Sequence, residues 1–396
     1  MKKLSVKNSG IAPSVTLAIT AKAKQLKAQG VDVVSFGAGE PDFNTPENIR
    51  NAAIHRINIG GIGYTPASGL LELKEAICRK LERENGLKYK PENIVVSSGA
   101  KQSLNNVLMA ICNPGDEVII PGPYWVSYYE LVKLADGEPV IVMADAEANF
   151  KVTVAQLEAA CSEKTKAIIL NSPNNPTGSV YEVEELKAIA QFAIEKDLYV
   201  ISDEIYEKLI YGVEHTSIAS FSEEIKSRTI VVNGLSKAYA MTGWRIGYTA
   251  STIEIAKIMG NIQSHATSNP NTIAQYAGIE ALDGDQSTIE VMRNAFDERR
   301  KFMVNTIENI PNVTCVTPLG AFYVMMDVSK YYGKVAQGKN IENSLTFAEV
   351  LLEAANVAVI PGSAFGADQY VRLSYATSLD VIEEGLKRIA AFLMTL

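Results

Sequence analysis

The chain has 396 residues, of which 47% are hydrophobic and 21% are charged, and its formal net charge is −8. This composition is typical of a globular protein that is long enough to bury a sizeable core. An acidic protein is a poor candidate for binding nucleic acid or an anionic membrane surface, so we expect neither partner.

The cysteines and the apolar segments bear on metal sites, disulfides, secretion and membrane insertion. The four cysteines are far apart and form no Cys-x-x-Cys pair, so we expect neither a metal site nor a disulfide framework. The segment MKKLSVKNSG is not followed by the apolar region of a signal peptide, and no run of 18 apolar residues predicts a membrane span. We therefore expect a cytoplasmic protein.

Short apolar runs alternate with helical patterns through the middle of the chain. The runs that predict strands are NIVVSS (93–98), DEVIIP (116–121), KAIILNS (166–172), LYVISDEIY (198–206), RTIVVNG (228–234) and WRIGYTA (244–250). The first three precede the helical patterns AKQSLNNVLMAI, YWVSYYELVKLA and VEELKAIAQFAIEKD. This alternation predicts an α/β fold with a buried, mostly parallel sheet covered by helices.

The last third of the chain has a different pattern. A long charged helix is predicted around 286–309, followed by VTCVTPLGAFYVMMDV, VAVIPGSAF, YVRLSYAT and a closing helix. Alternating strands flanked by helices predict a smaller α+β unit. We expect a large domain over 48–285 and a small domain formed by 1–47 and 286–396.

Ligands of open α/β sheets bind at the carboxyl ends of the strands, and the loops there contain candidate site residues. The turn SSGAKQS (97–103) places Gly99 before a helix, whose N-terminus could bind phosphate. A plain helix cap is the alternative interpretation. The turn lacks the G-x-x-x-x-G-K-[ST] pattern of a nucleoside triphosphate site, and no G-x-G-x-x-G follows a predicted strand.

Two further strand ends contain polar residues with two interpretations each. The turn NSPNNPTG (171–178) includes Asn175 and could be a purely structural connection. In SDEIYEKL (202–209), Asp203 follows an apolar strand and Tyr206 lies three residues later. An acidic residue at this position could cap the next element or face the cation of a ligand.

The segment NGLSKAYAMTGWRIGY (233–248) contains Lys237, and Arg245 follows eight residues later. A solvated lysine on a loop is the simple interpretation, but a desolvated lysine has a lowered pKa and can form a Schiff base. A pyridoxal phosphate enzyme needs such a lysine, an acid for the pyridine nitrogen, phosphate ligands and an aromatic residue beside the ring. The chain contains a candidate for each of these parts, in the same order: Lys237, Asp203, the 97–101 turn with Ser236 and Arg245, and Trp125.

These segments resemble the class I aminotransferases, which are pyridoxal phosphate enzymes of fold type I. The resemblance covers nearly the whole chain and is closest to the bacterial aspartate aminotransferases that contain GPYWVSY. The other matching segments are AGEPDF (38–43), GYTPASG (63–69), NPGDEVIIPGPYWVSY (113–128), AMTGWRIGY (240–248) and VRLSYAT (371–377). The resemblance implies a large domain with a mostly parallel sheet between helices, and a smaller α+β domain.

The resemblance implies a role for each matching residue around the cofactor. Lys237 would bind the cofactor covalently and transfer a proton, and Asp203 would pair with the pyridinium nitrogen. Tyr206 and Asn175 would hydrogen-bond the phenolic oxygen, and Trp125 would stack on the ring. The phosphate would be bound by Gly99, Ala100, Lys101, Ser236 and Arg245, and in a homodimer also by Tyr64 of the neighbouring subunit.

The resemblance also implies the substrate contacts. Arg372 would bind the α-carboxylate with two hydrogen bonds, and Gly39 would contact the same group through its backbone. Trp125 and Asn175 would also line the substrate site. The chain has no obvious second arginine in a matching motif for a distal carboxylate. In the subgroup that it resembles, Thr16 and Lys101 take this role, although Lys101 could also be a solvated lysine.

The expected reaction moves the amino group of aspartate to 2-oxoglutarate in a ping-pong cycle, with oxaloacetate and glutamate as products. Aminotransferases for aromatic amino acids, alanine or prephenate are alternatives on the same scaffold. A pyridoxal phosphate β-lyase acting on C–S bonds is an alternative of another reaction class. A transcriptional regulator related to aminotransferases is disfavoured, because the N-terminal segment shows no helix-turn-helix pattern.

Overall fold

The computed structural model describes residues 2, 4–5, 9–13 and 15–396. Its strands are β1 (Val34–Ser35), β2 (Ile94–Ser97), β3 (Glu117–Gly122), β4 (Glu138–Met143), β5 (Thr165–Asn171), β6 (Tyr199–Asp203), β7 (Thr229–Gly234), β8 (Gly247–Ala250), β9 (Thr314–Cys315), β10 (Tyr323–Asp327), β11 (Val335–Ala336), β12 (Lys339–Asn340), β13 (Val357–Ala358), β14 (Ile360–Pro361) and β15 (Tyr370–Ser374). Its α-helices are α1 (Val15–Ala28), α2 (Glu47–Ile59), α3 (Leu71–Asn85), α4 (Ala100–Ile111), α5 (Ser127–Leu134), α6 (Val154–Ala160), α7 (Val183–Glu195), α8 (Glu223–Arg228), α9 (Ile253–Ala266), α10 (Thr272–Asp283), α11 (Ser287–Glu308), α12 (Ser344–Ala355) and α13 (Leu379–Leu393). Within the described ranges, no helix is both long enough and apolar enough to cross a membrane.

The central sheet has seven strands in the order β2-β8-β7-β6-β5-β3-β4. Neighbouring strands from β7 to β4 are parallel, whereas β8 is antiparallel to both β2 and β7. The prediction of a mostly parallel sheet is confirmed. Each of the six predicted strand segments overlaps one strand of this sheet, and β4 is an additional edge strand that was not predicted from the sequence.

Helices cover both faces of this sheet. On β3, Val118 and Ile120 pack into a cluster with α4, α5 and α9, and the intervening Ile119 packs into a cluster with α6 and α7. A third cluster joins α2, α3 and α10 to β2, β7 and β8. Burial on both faces explains why the strands have nearly continuous apolar sequences rather than alternating ones.

A second sheet has the order β14-β15-β10-β9 and is antiparallel. It packs against α11, α12 and α13 in the cluster that also contains Ile205, Tyr206 and Leu209 from the loop after β6. This α+β arrangement follows the pattern predicted for the last third of the chain. The division into domains at 48 and 285 stays a prediction, and residues 1, 3, 6–8 and 14 of the predicted small domain lie outside the described residues.

Three neighbouring strands of the central sheet end at the same edge. Asn171 at the end of β5 lies opposite Asp203 at the end of β6, and Asp203 lies opposite Val232 of β7. Because these strands are parallel, the loops that follow them begin side by side. The predicted site residues that end or follow these strands are therefore brought to one edge of the sheet.

Candidate active site

A cavity of about 570 Å³ lies at this edge, between the central sheet, the second sheet and α1. Most of the predicted site residues line it, although they come from all parts of the chain. These residues are Thr16, Gly39, Ala100, Lys101, Trp125, Asn175, Asp203, Tyr206, Ser236, Lys237, Arg245 and Arg372. Gly99 lies directly behind Arg245, and Tyr64 is 93% exposed on a loop that does not line the cavity.

Lys237 lies three residues after β7 and is partly buried in the cavity wall. Its Nζ atom donates a hydrogen bond to the Gly39 carbonyl oxygen at 2.5 Å and lies 5.7 Å from the centre of the Tyr206 ring. Burial lowers the pKa of Lys237 to about 8, and the positive charges of Arg372 and Arg245 act in the same direction. A substantial fraction of this amine is therefore neutral, and hence nucleophilic, slightly above neutral pH.

Asp203 is the last residue of β6, and its carboxyl group is buried. The Tyr128 hydroxyl donates to its Oδ2 atom at 2.7 Å, and the Ile205 backbone N–H donates to Oδ1 at 3.3 Å. Burial raises the pKa of Asp203 to about 6, although both hydrogen bonds favour its anion. A carboxylate that is desolvated in this way is strongly stabilised by a cationic partner, which a protonated ring nitrogen would provide.

Arg372 lies in the middle of β15, paired with Met325 on one side and Ile360 on the other. Its Nη1 atom donates to the Asn175 Oδ1 atom at 3.0 Å, and its buried Nε atom has no hydrogen-bond partner. Among the residues that the structure describes, no carboxylate forms an ion pair with this guanidinium, and burial lowers its pKa. The group is therefore prepared to bind an anion with its remaining donors.

The side of Asn175 that faces Arg372 must be the carbonyl, because a guanidinium has donors only. The amide NH₂ group of Asn175 then has to find an acceptor elsewhere. Asn175 is itself fixed by its backbone N–H, which donates to the Asn171 side-chain oxygen at 2.9 Å. Its NH₂ group is thus available to donate to a ligand in the cavity.

A candidate anion site lies where α4 meets the segment before β8. Arg245 adopts a left-handed backbone conformation with φ 58°, and its guanidinium donates to the Thr242 carbonyl oxygen at 2.9 Å. Gly99 precedes α4 with φ 86°, and a Cβ atom on it would clash with this guanidinium. The N-terminus of α4, the Arg245 side chain and the buried Ser236 hydroxyl together suit a phosphate group.

Lys101 and Trp125 form one wall of the cavity. The Lys101 Nζ atom lies 4.8 Å from the centre of the Trp125 ring, which in turn packs edge-on against Tyr128 at 5.4 Å. Burial lowers the pKa of Lys101, and the charge of Arg245 acts in the same direction. Thr16 approaches the cavity from the first turn of α1. The two residues that were predicted for a distal carboxylate thus line the same cavity.

The structure also adds residues that the sequence analysis did not single out. Tyr128 and Asn171 fix Asp203 from two sides, since the Asn171 side chain donates to the Asp203 backbone oxygen at 2.9 Å. Tyr323 contacts both Tyr206 and Arg372. Asn171 could have been found as a polar residue at the end of an apolar strand, but no pattern in the sequence indicates the partners of Tyr128 or Tyr323.

The sequence of the chain matches the family model of aminotransferase class I and II over residues 31–389. The chain belongs to this family. The resemblance to aminotransferases that the sequence motifs indicated is confirmed, and so is the predicted fold type.

Individual aminotransferases resemble the chain over almost their full length. An aspartate aminotransferase of Bacillus sp. (strain YM-2) is 54% identical, over 96% of this chain and 97% of that protein. An aspartate/prephenate aminotransferase of Cereibacter sphaeroides is 49% identical, over 96% of both chains. The solved structure of the aspartate aminotransferase from Thermus thermophilus with maleate has a TM-score of 0.94 and 44% identity, and the match covers 99% of this chain and 100% of that one.

Proposed function

We propose that the chain is a pyridoxal phosphate-dependent aspartate aminotransferase that moves the amino group of aspartate to 2-oxoglutarate in a ping-pong cycle. Its family membership and the names of its similar relatives support this proposal. The observation that carries it is the arrangement of Lys237, Asp203 and Arg372 around one cavity. These groups supply a nucleophilic amine, a buried anion and an unpaired buried cation.

The residues of the cavity fit pyridoxal phosphate. Arg245, Ser236 and the N-terminus of α4 would bind the phosphate, and the absence of a Cβ atom on Gly99 leaves room for the Arg245 guanidinium. Asp203 would accept a hydrogen bond from the ring nitrogen and gain the cationic partner that its buried carboxylate lacks. Trp125 would cover the ring, and Asn175 and Tyr206 would donate to the phenolic oxygen.

When bound, pyridoxal phosphate supplies an electrophilic carbon for the amine and a protonated ring that accepts the electrons of the broken Cα–H bond. The chain itself supplies the binding and the proton transfer. Lys237 holds or releases a proton at Nζ, and its pKa of about 8 allows both states near neutral pH. Asp203, as an anion, keeps the ring nitrogen protonated.

The cavity also fits a dicarboxylate substrate. Arg372 would bind the α-carboxylate through the donors that Asn175 leaves free, and the Gly39 backbone lies beside the same site. Lys101 and Thr16 would bind the distal carboxylate, because both line the cavity. Maleate is itself a dicarboxylate, so its presence in the solved structure from Thermus thermophilus supports this substrate class.

We further propose that the enzyme is a homodimer in the cytoplasm. Tyr64 does not line the cavity of its own chain and is 93% exposed, which suits a residue that completes the site of a neighbouring subunit. This arrangement would add a hydroxyl to the phosphate site formed by Arg245 and Ser236.

The deciding experiment is kcat/KM for aspartate, asparagine, alanine and phenylalanine as donors with 2-oxoglutarate, and for prephenate as acceptor. Aspartate should be the best donor and should yield oxaloacetate. Use of prephenate would add the second activity that the name of the Cereibacter sphaeroides relative carries. A higher kcat/KM with a donor whose side chain is uncharged would contradict the aspartate proposal. Release of pyruvate and ammonia from a C–S substrate, instead of transamination, would establish a β-lyase.

A further inference from the structure

Tyr323 lies between the residues proposed to bind the cofactor and those proposed to bind the substrate, although it has no role in the proposed function. It is the first residue of β10 in the second sheet, and only 1% of it is exposed. Its hydroxyl lies 3.0 Å from the Tyr206 hydroxyl, and its ring centre lies 4.2 Å from the Arg372 guanidinium carbon. It therefore contacts one residue proposed for the cofactor and one proposed for the substrate.

The direction of the bond between the two tyrosines follows from the number of protons. Each hydroxyl has one proton to donate and can accept a further bond. If Tyr206 donates to the phenolic oxygen of the cofactor, it can only accept from Tyr323. Among the described residues, the Tyr323 hydroxyl has no other recorded partner, so its proton is free for Tyr206.

The position of Arg372 strengthens this arrangement. Its guanidinium lies over the face of the Tyr323 ring, where the cation is attracted by the π electrons. Burial raises the pKa of both tyrosines, and the charge of Arg372 acts against this shift in both. The cation thus makes each hydroxyl a stronger donor than burial alone would leave it.

We propose that Tyr323 is a positioning residue of the reaction, whose ring supports Arg372 and whose hydroxyl donates to Tyr206, leaving the Tyr206 proton for the cofactor. This inference rests on the proposed function, because it assigns Tyr206 to the phenolic oxygen of pyridoxal phosphate. It predicts that the hydroxyl and the ring of Tyr323 have separable effects.

The test uses the holoenzyme and two substitutions. Tyr323→Phe keeps the ring but removes the hydroxyl, so the KM for aspartate should stay within about twofold while kcat falls about three- to tenfold. The pH midpoint of the absorption of the bound cofactor should rise by roughly half a unit, because a weaker donor stabilises the anionic chromophore less. Tyr323→Leu also removes the ring and should raise the KM for aspartate roughly three- to thirtyfold.

Tyr375→Phe is the matched control, since Tyr375 is a buried tyrosine directly after β15 that donates to the Ala321 carbonyl oxygen at 3.2 Å and does not line the cavity. It should leave the spectral midpoint unchanged. In a Tyr206→Phe background, Tyr323→Phe should cause no further shift of the midpoint, because the acceptor of its bond is gone.

The outcomes separate this inference from the proposed function. A wild-type protein that binds no pyridoxal phosphate or transfers no amino group would overturn the proposed function itself. A wild-type enzyme that does both, with an unshifted midpoint in Tyr323→Phe, would overturn the role of Tyr323. An equal shift in Tyr375→Phe, or a full further shift in the Tyr206→Phe background, would overturn it as well.

Discussion

Lys237 illustrates how burial creates reactivity in a common side chain. Its pKa of about 8 arises mainly from desolvation, and the fold achieves this by placing the lysine in a cavity wall beside Arg372 and Arg245. We expect Lys237→Ala to lower kcat by about 10²–10⁴-fold or more, since it would remove both the proposed nucleophile and the proposed proton carrier. Steady-state transamination with aspartate measures the loss.

Lys74 provides the control for Lys237. Burial lowers its pKa as well, but it lies on α3 outside the cavity, where its Nζ atom donates to the Ser68 hydroxyl at 3.3 Å. Lys74→Ala should therefore retain kcat. Borohydride reduction of the holoenzyme followed by peptide mapping should label Lys237, and a label on another lysine would contradict the assignment.

Lys101 is the residue on which we test the proposed preference of the site for dicarboxylates. If its ammonium binds the distal carboxylate, Lys101→Ala should lower kcat/KM for aspartate about 10- to 100-fold, because a charge-assisted hydrogen bond is lost. Alanine and phenylalanine as donors should be affected little, since neither has a distal carboxylate. A decrease shared by all donors would instead mean that the phosphate site beside α4 was damaged.

Single site residues were predictable where a sequence pattern marks a strand end. Asp203 ends an apolar strand and Asn175 and Lys237 each follow one, and the parallel sheet brings such positions together. Tyr323 was not predictable in this way. It is one of several apolar residues at the start of β10, and the two residues that it contacts lie 117 residues before it, at Tyr206, and on the neighbouring strand, at Arg372.

At the scale of elements, the segment after β6 is fixed by a buried ionic network on the side away from the cavity. The Glu207 carboxylate pairs with Lys80 of α3 and accepts hydrogen bonds from Asn85 at 2.9 Å and from Asn233 at 2.8 Å. Glu204 accepts from the Ser217 hydroxyl at 2.6 Å and pairs with His215. The potential ligand atoms of Glu204, Glu207 and His215 lie within 4.8 Å of one another, as in a metal site, but Lys80 already supplies a cation to this cluster.

This network predicts a large loss of stability when one partner is removed. Lys80→Met leaves the Glu207 carboxylate buried without its cation, which should destabilise the protein by about 3–5 kcal/mol. The double variant Lys80→Met/Glu207→Gln should recover much of this loss, because the Glu207 charge that Lys80 compensated is removed as well. Lys339→Met is the surface control, since Lys339 pairs with Glu353 in solvent and should change the unfolding midpoint little.

The same carboxyl group predicts a pH dependence of stability. Burial favours the neutral form of Glu207, but the charges of Lys80 and His215 override it and hold its pKa at about 2. The pKa of Glu207 in the folded state lies below that of a glutamate in the unfolded state, about 4.3. The contribution of Glu207 to the free energy of unfolding is therefore complete above about pH 4.3 and is lost as the pH falls toward 2. Acid unfolding should thus be steeper in the wild type than in Lys80→Met/Glu207→Gln, and equal slopes would contradict the assignment.

The elements themselves differ in how well the sequence predicts them. The buried strands β5, β6 and β7 were predicted because short, continuous apolar runs are typical of strands that are buried on both faces in an α/β fold. The antiparallel direction of β8 was not predictable, since an apolar run does not encode its direction. The edge strand β4 was not recognised because it begins with Glu138–Pro139 and is largely only half-buried.

At the scale of the whole molecule, a single chain leaves several large apolar side chains between residues 54 and 64 exposed. Ile54, Ile57 and Ile59 on α2, with Ile62 and Tyr64 on the loop that follows, are all more than 40% exposed. A concentration of exposed apolar side chains is a feature of interaction sites in folded proteins. Its position next to Tyr64 supports the proposal that a second copy of the chain covers it and receives the Tyr64 side chain.

Hybrid dimers test this arrangement. A Tyr64→Ala subunit keeps its own Lys237, and a Lys237→Ala subunit keeps its own Tyr64, so a mixed dimer contains one site with both residues if Tyr64 acts across the interface. Random re-association of equal amounts makes half of the dimers mixed, and activity should recover to about a quarter of the wild-type value. If Tyr64 instead served its own chain, every site of every dimer would lack one of the two residues. Activity that stays at the level of the separate variants, with subunit exchange verified by mass, would therefore contradict a shared site.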